Sequence, residues 1–371
     1  MACRIVLAWN KRNAGMYSVD LGAAAFAASL GDEVVFYSTY PTSSVTAGDP
    51  RFRLHDIARL PRDCGDEDRL IYWGDFTTSP RYGLENLADK FSKSALGQAL
   101  FFLPEGLRAR IAFRMWRRYF SETRPRRTFS LCQNFQTLAA GAPAGGWPGG
   151  FDLVAHLLGF ERICARDSVS CSAVQEATAG RARVSSGMDA AFLASAARRP
   201  PAATPGSRRP RVGLLLFRSN LRNVPRLHGM LEARGAEWDD MAAGWLGLEA
   251  RGVERSFADL IARLTACDLV ISDTYHFIIN AVRSHVPVIG LGGVSHYQDR
   301  PVADFKKEIL FRDLGIADHY LIAEPREFDD RLLARIEASM ERVHADQDED
   351  FHAAVDARAG RFKAELLEIV A

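Results

Sequence analysis

Cys267 to Gly293 reads CDLVISDTYHFIINAVRSHVPVIGLGG. Asp268 to Ser272 is a continuous apolar run with β-branched residues, closed by a polar turn, which reads as a short buried strand. Asp273 and Thr274 mark a helix N-terminus, and Phe277, Ile278, Ala281 and Val282 follow at helical spacing. Val286 to Leu291 is the next buried strand, closed by Gly292 and Gly293. Strand, helix and strand in this order make a unit of parallel α/β sheet. His276 falls in the first turn of the helix, at the carboxyl end of a strand, where open α/β sheets bind ligands. Backbone N–H groups and the helix dipole favour an anion there. An imidazole beside a phosphate or carboxylate is the leading candidate for chemistry. A histidine that only caps its own helix is the structural alternative.

The 371 residues around this unit imply two domains. A hydrophobic content of 47% supports sizeable cores. A net charge of +1 gives no global argument for nucleic acid. Cys3, Cys64, Cys132, Cys164, Cys171 and Cys267 show no CxxC spacing, so neither a zinc site nor a thioredoxin-like motif is visible. Six free thiols in a reducing cytoplasm is the simplest reading. The opening residues show no cleavable signal pattern, and no run approaches the ~18 apolar residues of a membrane span. A cytoplasmic protein without metal or cofactor is expected.

Upstream, Cys3 to Trp9 predicts a first strand, Tyr17 to Leu30 an Ala-rich helix and Glu33 to Ser38 a second strand. The loop between them lacks GxGxxG, so a dinucleotide is not supported. Asn13-Ala14-Gly15 is placed to hold substrate at the helix N-terminus, or merely to make the turn. Leu70 to Trp73 continues the sheet, and a helical insert follows over 84–120. Its arginines Arg108, Arg110, Arg114, Arg117 and Arg118 interleave with aromatics. They read either as a basic face toward an anionic lipid carrier or nucleotide-linked acceptor, or as side chains snorkelling over the core edge. Thr128 to Cys132 is a strand, and the Gly/Pro-rich loop Gly141 to Gly150 is long enough to line a cleft. After the strand Arg162 to Ala165, Asp167 reads as an N-cap, and Arg166 either as a binding group for carboxylate or phosphate or as half of a surface ion pair. Val184 to Gly187 is a short strand, with Asp189 in the turn after it.

Ala196 to Pro210, AARRPPAATPGSRRP, is the clearest shift in composition and reads as a linker. The expected organisation is an N-terminal Rossmann-like domain over 1–197, a linker over 198–210, a C-terminal Rossmann-like domain over 211–345 and a C-terminal helix over 346–371. Val212 to Phe217 opens the second sheet, and Arg218, Ser219, Asn220 and Arg222 follow its first strand, either as an anion-friendly strand end or merely as a solvated loop. Helices near Pro225–Arg234, Val253–Thr265 and Arg300–Leu314, a strand at Tyr320–Ile322, and two charged helices near Asp329–His344 and Phe351–Val370 complete the pattern. Two Rossmann-like domains with trailing helices suggest a GT-B-like layout, with the ligand cleft between them.

Several of these pieces, in this order, resemble the polysaccharide pyruvyl transferase family. Asn13-Ala14-Gly15-Met16 stands where the family tends to show Asn-x-Gly-Asp, with Met16 in place of the acid. Arg166, Asp167 and Ser170 fit the family's Arg-Asp/Glu-x-x-Ser helix start, and Asp189 its later Asp. ISDTYHFIINAVRSHVPVIGL fits the strand, His-bearing helix start and Pro-containing strand, with His276 at the His position and Thr274 where many members carry Arg. KKEILFRDLGI fits the Lys/Arg before a Leu-Gly-Ile segment, with Lys306 the nearer equivalent and Lys307 beside it.

The resemblance implies transfer of the enolpyruvyl unit of phosphoenolpyruvate onto a sugar of a surface glycan or its lipid-linked precursor, as a ketal. The N-terminal domain would take the acceptor and the C-terminal domain the donor, with a peripheral membrane contact for a lipid-linked acceptor. His276 and Arg166 would be catalytic. Arg218, Asn220, Thr274, Lys306, Asn13 and Gly15 would bind substrate. Two other readings stand beside this one. A glycosyltransferase would use a nucleotide sugar and place Asp304 or Glu308 near the ribose. A non-catalytic relative would have kept only the scaffold, and the departures at Met16 and Thr274 sustain that reading.

Overall fold

The computed structural model describes residues 2–7, 12–39, 44–75, 104–138, 151–199, 209–249, 252–293 and 302–371. The chain is α/β and divides into two compact units, each built on a parallel sheet. One comprises Met1–Lys11, Val19–Ala194 and Phe362–Ala371, the other Arg12–Ser18 and Ser195–Arg361. The second unit thus includes the start of the first helix, far upstream of its sheet.

The first sheet contains β1 (Cys3–Val6), β2 (Val34–Ser38), β3 (Leu54–Asp56), β4 (Arg69–Asp75), β5 (Arg127–Gln133), β6 (Arg162–Ala165) and β7 (Val184–Ser186). Their spatial order is β3-β2-β1-β4-β5-β6-β7, and every pairing is parallel. Six of these strands follow the 3-2-1-4-5-6 order of a doubly wound nucleotide-type sheet, with the order reversing between β1 and β4. Helices α1 (Ala14–Ala27), α2 (Glu105–Arg117), α3 (Leu153–Leu158) and α4 (Ser168–Ala177) lie along this part of the chain. Tyr72, Trp116, Phe120, Phe135, Leu157 and Ile163 pack in one buried cluster of this unit.

The second sheet contains β8 (Arg211–Leu215), β9 (Glu237–Asp240), β10 (Leu269–Ser272), β11 (Val288–Gly292) and β12 (Tyr320–Ile322). Its order is β12-β11-β10-β8-β9, again wholly parallel. Renumbered from its own first strand this is 2-1-3-4-5, and the order reverses between β8 and β10. Helices α5 (Val224–Ala233), α6 (Val253–Thr265), α7 (Tyr275–Arg283), α8 (Val302–Asp313) and α9 (Asp330–Asp346) accompany it, and α10 (Glu349–Val370) begins in this unit and from Phe362 on belongs to the first. The core cluster of Val212, Leu214, Ile271, Ile289, Leu321 and Phe328 runs across its strands.

The apolar runs predict the buried strands well, and the differences have local causes. β3 is three half-buried residues at a sheet edge, and β9 is the charged run EWDD at another. Neither shows the alternation that marks a half-buried strand, because edge strands tolerate charge. Helix α1 begins at Ala14 rather than Tyr17, since the Asn13 side chain accepts from the N–H of Gly15 at 2.9 Å and starts the helix early. β11 begins at Val288 rather than Val286. The first half of the expected insert, 84–103, and the loop Gly141 to Gly150 lie outside the described residues, as does most of the linker. Among the described residues no helix is long and apolar enough to cross a membrane.

Candidate functional site

In open α/β sheets the crevice for ligand lies outside the carboxyl ends of the strands where the order reverses. In the second unit that place is between β8 and β10, and the loops there are tied together. The Asp273 carboxylate, just after β10, accepts from the backbone N–H groups of Phe217 (3.0 Å), Arg218 (2.7 Å) and Ser219 (2.8 Å) in the loop after β8. The amides that the sequence offers to an anion are therefore already filled by a resident carboxylate. The Arg218 side chain is exposed, with its guanidinium 4.8 Å from the Phe217 ring centroid. Asn220 is exposed with φ of 51°, in the left-handed region that asparagine tolerates.

Beneath this loop lies Lys307, fully buried on α8. Its ammonium donates to Ser219 Oγ (3.0 Å), the Asp273 carbonyl (2.7 Å) and the Leu291 carbonyl (2.7 Å). It also pairs with Asp304 at 2.8 Å. Asp304 in turn accepts from Ser219 Oγ at 2.7 Å and the Gly293 N–H at 2.9 Å. One ammonium thus fastens the ends of β8, β10 and β11. Burial pushes the Asp304 carboxyl up, but the Lys307 charge and these hydrogen bonds outweigh it and hold the group below its ordinary range. Burial lowers Lys307 from its ordinary value, with Asp304 and Asp273 opposing that shift. The sequence pointed to Lys306 and left Lys307 beside it. The readable signal was that Asp304, Lys307 and Phe311 share one helix face, and Phe311 is fully buried.

Lys306 lies one position round the helix, half-buried, with Nζ 4.8 Å from the centroid of the Tyr275 ring. The Tyr275 and His276 rings meet edge to face at 5.1 Å. His276 lies against Gly15: a Cβ built on Gly15 would stand 2.6 Å from the His276 Cβ and 3.0 Å from its Cγ and Nδ1. Glycine is needed there to let the two backbones approach. The second unit therefore places Gly15, Tyr275, His276 and Lys306 in one run of contacts. Thr274 stands at the N-cap of α7, and its hydroxyl donates to Asp273 Oδ1 at 3.1 Å.

Helix α7 is buried along its whole length, so each of its polar groups needs a partner. Asn280 Nδ2 donates to the His276 carbonyl (2.7 Å) and to Ser18 Oγ (3.1 Å). Arg283 donates to Asn280 Oδ1 (3.2 Å) and to the Ser195 carbonyl (2.5 Å), and burial brings its pKa down to about 10. Asn13 belongs to the same neighbourhood by sequence, and the structure shows its side chain capping α1. It accepts from Gly15 and from the Met16 N–H at 3.4 Å.

Arg166 stands apart, in the first unit. Expected as an open clamp, its side chain is instead fully enclosed between Asp167 and Asp189, 3.4 Å from each. Asp167 caps α4 by accepting from the Ser170 N–H at 2.7 Å, and Asp189 caps the turn after β7 through the Ala191 N–H at 2.9 Å. The Arg-Asp-x-x-Ser pattern is accounted for here by a buried ion network. Asp304, the ribose candidate of the nucleotide-sugar reading, is likewise committed to Lys307. Among the described residues no cluster of His, Cys, Asp or Glu could hold a metal ion.

A scan of protein-family models and a search of curated proteins gave no match. Solved structures align over nearly the whole chain at low identity. Anabaena HepE in complex with UDP-glucose aligns over 100% of this chain and 98% of its own, at 11% identity and TM-score 0.48. A UDP-N-acetylglucosamine 2-epimerase homologue from Listeria monocytogenes covers 99% and 96% at 10% identity and TM-score 0.47. The spinosyn rhamnosyltransferase SpnG covers 99% and 100% at 16% identity and TM-score 0.41. Likeness at this level assigns no activity to the chain.

Proposed function

We propose that this chain is a group-transfer enzyme acting on a sugar, with a phosphate-bearing donor held at the switch point of the second sheet. The observation that carries the reading is the meeting of Gly15, His276 and Lys306 at the carboxyl end of β10, from three distant parts of the sequence. Lys306 supplies positive charge toward a donor phosphate, and Arg218, on the loop held by Asp273, supplies more. His276 supplies the imidazole of this set, the side-chain type most often used for general acid–base proton transfer. Lys307 and Asp304 hold the frame and touch no donor.

Two donors fit this description. A nucleotide sugar would leave as a nucleoside diphosphate, with the acceptor hydroxyl losing its proton. Asp304 is unavailable for its ribose, which leaves Glu308, half-buried on the same helix, for that contact. Phosphoenolpyruvate would lose inorganic phosphate, its C3 would gain a proton, and two sugar hydroxyls would lose theirs to give the ketal. The gathering of Gly15, His276 and Lys306 supports this second donor, because those positions carry the resemblance to pyruvyl transferases.

Incubation with either donor and a panel of sugars, free and as nucleoside-diphosphate or polyprenyl-phosphate derivatives, separates the two. Nucleoside diphosphate release marks glycosyl transfer, and inorganic phosphate release marks pyruvyl transfer. His276→Ala should abolish either product while leaving the protein folded. An unchanged rate in that variant removes the role given to His276.

A further inference from the structure

Helix α2 carries two faces of opposite character. Phe113 and Trp116 on the helix, with Phe120 in the turn after it, are buried and stack at 5.7 and 6.2 Å. Leu107, Arg110, Arg114 and Arg118 are exposed, and Leu107 keeps 43% of its surface in solvent. At about 100° per residue these four positions fall within a sector of about 80°. Arg110, Arg114 and Arg118 make no ion pair with any described residue. Arg117 on the flank of the same helix pairs with Glu122 at 2.9 Å. Arg198, Arg211 and Arg222 likewise pair with carboxylates.

We propose that the Leu107–Arg110–Arg114–Arg118 stripe is a docking face for an anionic lipid bilayer. Three unneutralised guanidinium groups on one side of the helix suit a plane of lipid phosphates, and each binds phosphate oxygens through a planar fork. Leu107, in line with them, adds an apolar side chain that enters the headgroup boundary. The stripe presents no exposed aromatic side chain on which a base would stack, which favours a bilayer over a nucleic acid. The net charge of +1 makes the attraction local to this face rather than a property of the whole protein. The inference is independent of the donor site, which lies in the other unit.

The test is flotation of the full chain with phosphatidylglycerol vesicles and with phosphatidylcholine vesicles, at low and at high salt. The protein should float with the anionic vesicles only and be released by salt. Three charges lost together in Arg110→Gln/Arg114→Gln/Arg118→Gln should weaken the partition on the order of a hundredfold. An unchanged thermal midpoint of the variant shows that the loss is not one of folding. No flotation with phosphatidylglycerol, or equal flotation of the variant, overturns the proposal. So does salt-sensitive retention on single-stranded RNA by a protein that ignores both kinds of vesicle.

Discussion

Gly15→Ala sets two effects of opposite sign against each other. Gly15 is in the first turn of a helix, where alanine is favoured by about 1 kcal/mol. The added Cβ would meet the His276 Cβ at 2.6 Å and its Cγ and Nδ1 at 3.0 Å. Both residues are buried, and a Cβ is not the far end of a flexible chain, so backbone must move. Such overpacking costs about 1–3 kcal/mol, and the variant should lose up to about 2 kcal/mol after the helix gain is subtracted. Gly229→Ala is the control. Gly229 is exposed within α5, and a Cβ there meets nothing within 4 Å, so that variant should gain about 0.5–1 kcal/mol. Urea denaturation of both variants, read by fluorescence, gives the two signs. His276→Ala should not rescue Gly15→Ala fully, because alanine keeps the Cβ that makes the closest approach. If Gly15→Ala gains stability as Gly229→Ala does, the close approach of Gly15 to His276 is refuted.

Lys307→Met should lose about 3–5 kcal/mol in the same denaturation measurement, because it strands the buried Asp304 carboxylate; a loss below 1 kcal/mol would mean that the ammonium is not fastening the strand ends. Arg166→Met should cost a similar amount, about 3–5 kcal/mol, since Asp167 and Asp189 would remain buried together. His352 gives a pH effect. Its ring stacks on His285 at 4.7 Å, and Asp356 and Asp348 also act on it. Burial and the His285 charge bring it down from 6.5 to about 4, against the Val282 carbonyl and the two carboxylates. Between those values the unfolded chain binds more protons than the folded one, so stability is held above pH 6.5 and lost as pH falls toward 4. The loss should be about 1–3 kcal/mol, and His352→Phe should flatten it across that window; a slope unchanged in the variant assigns the effect elsewhere.

The opening stretch from Cys267 to Gly293 was legible because its strands are buried on both faces and its helix is short and apolar. Parallel strands of that kind announce themselves as unbroken β-branched runs. The same logic fails at β9, where EWDD at a sheet edge gives no apolar signal. Strand order is not written in the pattern at all, so the reversal between β8 and β10 came only with the structure. Within the site, spacing placed His276 at a helix start but could not tell Lys306 from Lys307. One residue's rotation round α8 separates a half-buried amine over Tyr275 from a buried amine beneath three strand ends. Asp273 shows the same limit: as a residue type it reads as a turn, and only its three amide partners show it filling the anion seat. Arg166 reads as a binding group until its two buried carboxylates are seen.

In the proposed reaction a phosphate-bearing donor sits at the switch point of the second sheet, beside His276 and Lys306. Thermal shift with phosphoenolpyruvate and with a panel of nucleotide sugars, on wild type and Lys306→Ala, tests it most directly. A ligand at one hundred times its dissociation constant stabilises the native state by about 2.7 kcal/mol. One of the two donor classes should raise the midpoint of wild type, and Lys306→Ala should abolish that rise. No shift with either class, or a shift that the substitution leaves intact, would contradict it.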